Sequence, residues 1–290
     1  MHPAKSLIFF TSASGLGFGL LIFLGLGMPN VTGWLAFIYF ALAIGLATAG
    51  LIASTFHLGH PERALLAFTQ WRSSWLSREG WLACATLITM GLYAALLIFF
   101  GIRAHPLGWL GSALSLATVY ATSMIYGQLK TVPRWHHWTT SALFMALAIA
   151  GGALLAGQIT GAIIFLLATG VLQFYTWKTG DLRLAQSGTN MATATGLGHI
   201  GQVRSFEAPH TGDSYLTREM VFVVARKHAL KLRSLALVLA FLAPALLLLL
   251  PFFHVLAIFA IAAHLTGLAI LRWLFFAEAE HVVGLYYGKR

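Results

Sequence analysis

The chain has 290 residues, of which 59% are hydrophobic and only 9% charged, and its net charge is +10. Soluble domains carry about 25% charged residues, so this composition excludes an ordinary soluble globule and predicts an integral membrane protein. The positive charge does not call for a nucleic-acid partner, because membrane proteins keep Lys and Arg in cytoplasmic loops beside anionic membrane lipid.

Eight apolar stretches approach the roughly 20 residues that a helix needs to cross a bilayer. They cover residues 7–28, 34–56, 81–102, 107–128, 139–157, 159–177, 235–250 and 254–276. In the first stretch, Gly15 and Gly19 have the spacing of a close helix contact. The sequence therefore predicts an all-α, polytopic membrane protein, with a single domain over residues 1–290 and eight transmembrane helices.

The charges lie almost entirely in alternate connections between these stretches. An even number of spans places both termini on one side, and 16 of the 18 Lys and Arg residues fall on that side. The opposite side holds only Arg103, while Arg272 lies near the end of the last span. Because Lys and Arg accumulate in cytoplasmic loops, we predict that both termini are cytoplasmic.

The connection over residues 57–80 alternates charged and apolar side chains. Pro61 is suited to the first turn of a helix, and an apolar face beside Arg63 would lie along the membrane surface. A lipid-soluble quinone needs such apolar walls, together with donors for its carbonyl oxygens and acids that transfer protons. His57 and Glu79 end and begin the flanking spans, so they are candidate quinone ligands. The alternative is that both merely terminate helices and contact water.

Tyr126 and Trp135 approach the same face from the fourth span and from the connection that follows it. They are candidates for the same quinone site. An aromatic belt at the membrane surface would explain both residues equally well.

The sequence predicts no redox metal in this chain. A single cysteine, Cys84, cannot hold an iron–sulfur cluster or a structural zinc ion, and we expect it to pack inertly. Of the 12 histidines, only His264 lies deep in a span, so a facing pair for haem is missing and a packed, hydrogen-bonded His264 is expected. A small-solute transporter is a further alternative, but its usual midplane ionisable residues and internal repeats are not apparent.

Four short motifs resemble a known family. They are residues 54–64 (STFHLGHPERA), 76–79 (LSRE), 131–135 (TVPRW) and 272–281 (RWLFFAEAEH). In order and in position relative to the spans, they are similar to the membrane-anchor subunit family of dimethyl sulfoxide reductase, which includes the similar anchor of sulfite-oxidising molybdoenzyme complexes. The resemblance covers essentially all eight spans.

The resemblance implies a non-catalytic anchor in the inner membrane of a bacterium, with no catalytic residue of its own. It implies two partners, an iron–sulfur electron-transfer subunit and a molybdopterin catalytic subunit, and electron exchange with quinone, either ubiquinone or menaquinone. By match to the motifs, His57 is the quinone-site histidine and Glu79 the acidic position, while Pro61 and Arg63 match the rest.

The predicted orientation bears on the direction of electron flow. Sulfite-oxidising complexes of this type keep their catalytic subunits on the cytoplasmic side, where we place the docking face. We therefore favour a sulfite-oxidising, quinone-reducing complex. The alternative is the menaquinol-oxidising anchor of a dimethyl sulfoxide reductase.

A long cytoplasmic connection over residues 178–233 departs from a simple anchor. Residues 215–233 read as a helix that extends the seventh span. Arg204, Arg226 and Lys227 are candidates for docking an acidic surface of a partner subunit. Contact of the same basic side chains with anionic lipid headgroups explains them equally well.

Overall fold

The computed structural model describes residues 1–57, 59–207, 209–212, 214–221, 228–251 and 253–287, and for Phe253 and His254 the backbone only. This part of the chain is all-α. The helices are α1 (Lys5–Gly25), α2 (Gly33–Thr55), α3 (Trp75–Ala95), α4 (His105–Gly127), α5 (Trp138–Leu155), α6 (Ile159–Gly180), α7 (Arg183–Gln186), α8 (Met191–Thr195), α9 (Ala229–Leu237), α10 (Ala243–Leu249) and α11 (Phe253–Ala277). A 3-10 helix, Pro61–Phe68, precedes α3, and another, Val282–Tyr287, follows α11.

Seven of the described helices are long and apolar enough to cross a membrane, so the chain is a polytopic membrane protein. The seven comprise α1, α2, α3 with its π-helical continuation Leu96–Phe100, α5, α6, the continuous segment Ala229–Leu249, and α11. The predicted fourth span, α4, is 23 residues long but is not among them.

The composition of α4 explains its lower hydropathy. Five buried Ser and Thr side chains lie along it: Ser112, Ser115, Thr118, Thr122 and Ser123. Each hydroxyl donates a hydrogen bond to a backbone or side-chain oxygen inside the bundle. A hydropathy scale counts these groups as polar although their hydrogen bonds are already satisfied.

The two ends of the described chain meet at one end of the bundle. The Met1 amine donates to the Ala279 carbonyl at 2.8 Å, and the Val282 amide donates to the Thr131 carbonyl at 2.9 Å. The segment after α4 therefore lies beside the segment after α11 and the start of α1.

Helix α1 is the most enclosed of the seven candidate spans, with 67% of its apolar window buried. Gly19 lies against the backbone of Ala148 and Gly152 of α5, where a Cβ atom would collide. Gly17 has the same relation to Ala43 and Ala47 of α2. The prediction is thus confirmed for Gly19. Gly15 has open space at its Cβ position, so its close contact, predicted to be either within the bundle or with a partner, stays a prediction of contact with a partner.

The connection before α3 folds back onto the helix that follows. Pro61 opens the 3-10 helix, and the Trp81 indole donates to the Phe68 carbonyl at 3.0 Å. Helix α3 begins at Trp75, six residues before the predicted span, with Ser74 as its N-cap. Glu79 consequently lies within the second turn of α3 rather than before the helix begins.

The long connection after α6 contains α7, α8 and a π-helical turn, Leu216–Met220. The backbone leaves helical geometry at Val221 (φ −109°, ψ 56°), so the prediction of one continuous helix from residue 215 is wrong there. Residues 222–227 lie outside the described part of the chain, and α9 begins at Ala229.

Candidate functional site

A wide cavity of about 440 Å³ opens among α1, α2, α3, α4 and the Pro61–Phe68 helix. Its lining is mainly apolar and comprises Leu7, Phe10, Leu51, Ser54, Thr55, His57, Ala64, Leu65, Ala67, Phe68, Leu76, Glu79, Gly80, Ala83, Cys84, Leu87, Ile125 and Tyr126. Ligand sites typically measure about 300–1,000 Å³, with apolar walls and a few polar groups. The wide cavity fits that description.

Three of the predicted quinone ligands line this cavity. His57 is exposed where α2 ends, Tyr126 is buried near the end of α4, and Glu79 reaches in from α3. Sequence positions up to 69 residues apart are thus brought together at one end of the bundle.

Glu79 is the buried acid of the site, with 3% of its surface exposed. Its Oε1 accepts a hydrogen bond from the Thr122 hydroxyl of α4 at 2.5 Å. Thr122 also lies 3.0 Å from the Thr118 carbonyl, one turn earlier in α4. This contact fixes the carboxyl group against α4, beside the apolar lining of the wide cavity.

The other predicted quinone residues do not line the wide cavity. Pro61 and Arg63 are exposed on the 3-10 helix, whose Ala64, Leu65, Ala67 and Phe68 form part of the lining instead. Cys84 was expected to pack inertly, but it is exposed and belongs to the lining.

Trp135 lies in an aromatic cluster next to the wide cavity. Its indole donates to the Phe275 carbonyl at 3.0 Å and its ring stacks on Phe275 with centroids 5.0 Å apart. Tyr126 packs edge-on against Trp135 at 5.3 Å and against Phe275 at 5.3 Å. We call these mutually packed rings the aromatic wall: Tyr126, Trp135, Phe144, Phe275 and Phe276. Among them, only Tyr126 also lines the wide cavity.

Behind the aromatic wall lies a small, partly open cavity of about 40 Å³, which we call the enclosed cavity because the helix ends surround most of it. It is lined by Arg134, Trp135, Thr140, Leu143, Phe144, Leu147, Gln173, Thr176, Trp177, Leu271, Arg272, Phe275 and Glu278. Arg272 is 3% exposed, and its guanidinium carbon lies 3.8 Å from the centre of the Phe144 ring. The sequence placed Arg272 near the end of a span without assigning it a role.

An ion cluster of Arg134, Asp181, Arg233 and Glu278 closes this end of the bundle. Arg233 donates to both Asp181 oxygens at 2.8 and 2.6 Å and to Glu278 at 2.7 Å. Arg134 donates to Asp181 at 2.5 Å and lies 3.5 Å from Glu278. Burial alone would raise the pKa of Asp181, but the hydrogen bonds and charges of Arg233 and Arg134 outweigh it and lower the pKa from 3.8 to about 2.

Sequence reasoning missed the ion cluster as a unit. Its paired residues are separated by at least 45 positions in the chain. The available signal was the presence of two carboxylates, Asp181 and Glu278, immediately after two long apolar helices on the side that is rich in arginine. Because buried charges are normally paired, that pattern predicts ion pairs between the helix ends.

Of the predicted docking residues, Arg204 is exposed in the long connection. Arg226 and Lys227 lie outside the described residues. His264 is buried and its Nδ1 lies 2.7 Å from the Ala240 carbonyl, which confirms the expected hydrogen-bonded packing. In the described residues, no group of three or more His, Cys, Asp or Glu side chains could hold a metal ion.

The sequence model of the DMSO reductase anchor subunit (DmsC) matches residues 1–288. The chain belongs to this family. It is therefore a membrane-anchor subunit of an oxidoreductase complex of the dimethyl sulfoxide reductase type.

Two curated relatives refine this placement. A sulfite dehydrogenase subunit of Allochromatium vinosum is 32% identical, and the alignment covers 99% of each chain. Anaerobic dimethyl sulfoxide reductase chain YnfH of Escherichia coli K12 is 33% identical over 39% of this chain and 41% of its own length. No solved structure matches the chain.

Proposed function

We propose that this anchor is the quinone-reactive subunit of a sulfite-oxidising molybdoenzyme complex. It would receive electrons from an iron–sulfur subunit and pass them to ubiquinone or menaquinone. The observation that carries the proposal is the wide cavity, whose mainly apolar lining includes His57, Glu79 and Tyr126. Similarity over the full length to a sulfite dehydrogenase subunit supports the direction from sulfite to quinone.

The chemistry of quinone reduction suits this lining. The apolar residues of α1, α2 and α3 would accommodate the isoprenoid tail, while His57 offers a ring N–H to a carbonyl oxygen. Reduction to quinol takes up two electrons and two protons. Glu79 lies close enough to the cavity to supply a proton as a general acid, and its hydrogen bond with Thr122 holds it in place.

Substitution of His57 tests the site. In the assembled complex, His57→Ala should weaken binding of a quinone analogue and lower quinone-linked turnover at least tenfold. His60→Ala is the matched control, because His60 is exposed nearby and outside the cavity lining, with Glu62 as its hydrogen-bond partner. Wild-type binding and turnover in the His57 variant would refute the proposed site.

We propose that α4 is the eighth transmembrane helix. At about 1.5 Å per residue, its 23 residues span roughly 35 Å, enough for the hydrocarbon core. An even number of crossings also agrees with the contact between Met1 and Ala279. The predominance of Lys and Arg at this end favours a cytoplasmic location for it.

The long connection after α6 is the proposed dock for the iron–sulfur subunit. Arg204 lies between Ile200 and Phe206, which are 74% and 93% exposed. Large apolar side chains with this exposure are typical of surfaces that a partner covers. Phe206→Asp should reduce co-purification of the iron–sulfur subunit, and unchanged recovery would refute docking at this position.

A dimethyl sulfoxide reductase is the second candidate complex, with electrons running from menaquinol to the catalytic subunit. The partial similarity to the YnfH chain favours it. Both directions use the same cavity. Sulfite-dependent reduction of quinone by purified complex distinguishes them, since a dimethyl sulfoxide reductase would instead oxidise quinol when the sulfoxide is added.

A further inference from the structure

Two arginines that line the enclosed cavity each have a buried hydrogen-bond donor without a partner among the described residues. The donors are the Nε atoms of Arg134 and Arg272. Buried donors are normally satisfied by protein or by internal water. A water molecule needs about 10–15 Å³ of such space, so a cavity of about 40 Å³ accommodates roughly three.

We propose that the enclosed cavity holds a short chain of ordered water that carries protons from the ion cluster to the quinone site. Thr140, Thr176 and Gln173 supply further polar groups to its lining. The proposal rests on the proposed function of the wide cavity, because it names the source of the protons used there.

The ion cluster provides the outer end of the route. Glu278 lines the enclosed cavity and also pairs with Arg233. Arg233 also pairs with Asp181, whose side chain is 44% exposed, so the ion cluster reaches from the cavity lining to the surface of the bundle. Water at that surface is the proton source.

Tyr126 provides the inner end. Its ring packs against Trp135, Phe144 and Phe275, which line the enclosed cavity, and Tyr126 itself lines the wide cavity. Tyr126 and Glu79 share the lining of the wide cavity, and in the proposed route the Tyr126 hydroxyl passes a proton from water on one side of the aromatic wall to Glu79 on the other.

In this proposal, the charge of Arg272 makes proton uptake follow the arrival of electrons at the quinone. Asp181 and Glu278 balance the charges of Arg134 and Arg233, whereas among the ion pairs of the described residues Arg272 has no carboxylate partner. Arginine keeps its own proton, and its charge repels an excess proton in the water chain. Negative charge brought to the quinone by the electrons offsets this repulsion, so proton uptake should follow electron arrival.

The balanced step is quinone plus two electrons plus two protons giving quinol. The electrons come from the iron–sulfur subunit. The protons come from water at the ion cluster, and each one that Glu79 donates is replaced through Tyr126.

A direct test is cryo-electron microscopy of the complex at a resolution that shows ordered water. We expect density within hydrogen-bond distance of Nε of both Arg134 and Arg272. A dry cavity would overturn the proposal whatever the activity of the complex.

A kinetic test uses Gln173→Leu, which replaces a polar lining group with an apolar one of similar size. Proton uptake in a single turnover is followed with a pH-indicator dye. In the wild-type complex it should lag behind quinone reduction, and in Gln173→Leu it should be at least fivefold slower than in the wild type. Thr169→Val is the matched control, because Thr169 is buried one turn away on α6 but does not line the cavity.

The outcome separates this proposal from the quinone site itself. Binding of a quinone analogue should stay within twofold of wild type in Gln173→Leu. Unchanged proton uptake with intact analogue binding would overturn the water route and leave the quinone site standing. Failure of the wild-type complex to bind the analogue would refute the quinone site.

Discussion

The two cavities on either side of the aromatic wall differ in size and in chemistry. The wide cavity measures about 440 Å³, and most of its lining is apolar. The enclosed cavity measures about 40 Å³, yet two arginines, a glutamate, a glutamine and two threonines line it. Volume and lining therefore distinguish the cavity proposed for the lipid-soluble quinone from the cavity proposed for water. In this proposal, a single anchor keeps a quinone and its proton supply in separate compartments.

The most severe test of this contrast changes the acid on the quinone side. Glu79→Gln keeps the size of the side chain but removes the proton. Because general acid catalysis contributes about 10²–10⁴-fold, quinone-linked turnover of the complex should fall by about 100-fold or more. Glu62→Gln, which alters an exposed acid on the 3-10 helix, should leave turnover close to wild type. Comparable losses in both variants would argue against a special role for Glu79.

The next test changes Glu278, a polar residue of the enclosed cavity and of the ion cluster. Glu278 is 6% exposed and pairs with Arg134 and Arg233. Removing one partner from a buried pair costs about 3–5 kcal/mol, so Glu278→Ala should lower the thermal stability of the anchor strongly, measured by unfolding in lipid nanodiscs. Glu62→Ala should cost less than about 1 kcal/mol because its pair is exposed. Equal stability of the two variants would show that the ion cluster does not hold this end together.

Acidification should affect the ion cluster through Asp181. Its pKa is lowered to about 2 in the folded protein, so its contribution to stability is fully present above the ordinary pKa of 3.8 and is lost as the pH falls from about 4 to about 2. A thermal-unfolding series across this range should show the decline, and Asp181→Asn should flatten it. A wild-type slope in the variant would assign the acid sensitivity to another group.

The smallest expected effect belongs to Arg63. Its side chain is exposed and does not line the wide cavity, although the family motif suggested a quinone role. Arg63→Gln should change the dissociation constant of a quinone analogue by less than threefold, measured by fluorescence titration beside His57→Ala. A loss as large as that of His57→Ala would show that the 3-10 helix moves to bring Arg63 onto the ligand.

Much of the fold could be predicted from sequence because the bilayer imposes it. Backbone groups in hydrocarbon must be hydrogen-bonded within the segment, so apolar length alone located the helices. The start of α3 was placed too late, at 81, because Arg78 and Glu79 read as a membrane boundary. In the structure the Arg78 guanidinium remains at the surface, over the Trp75 ring, while Glu79 faces Thr122.

The candidate site was predictable only in part, for a related reason. His57 and Glu79 flank one connection, so their proximity is local. Arg272 and the ion cluster depend on how α5, α6, α9 and α11 pack, and hydropathy carries no information on which helices are neighbours. An aromatic belt would explain Tyr126 and Trp135 from sequence alone, and only their packing with Phe144, Phe275 and Phe276 shows that they belong to the aromatic wall.

The central position of α1 bears on how the protein is made. This helix precedes the other described helices in the chain, yet it has neighbours on several sides, among them α2 at Gly17 and α5 at Gly19. The helices that cover α1 follow it in the chain, and its mainly apolar residues suit it to the bilayer before they are inserted. An anchor cut short during translation would leave the narrow glycine faces of α1 uncovered in the bilayer.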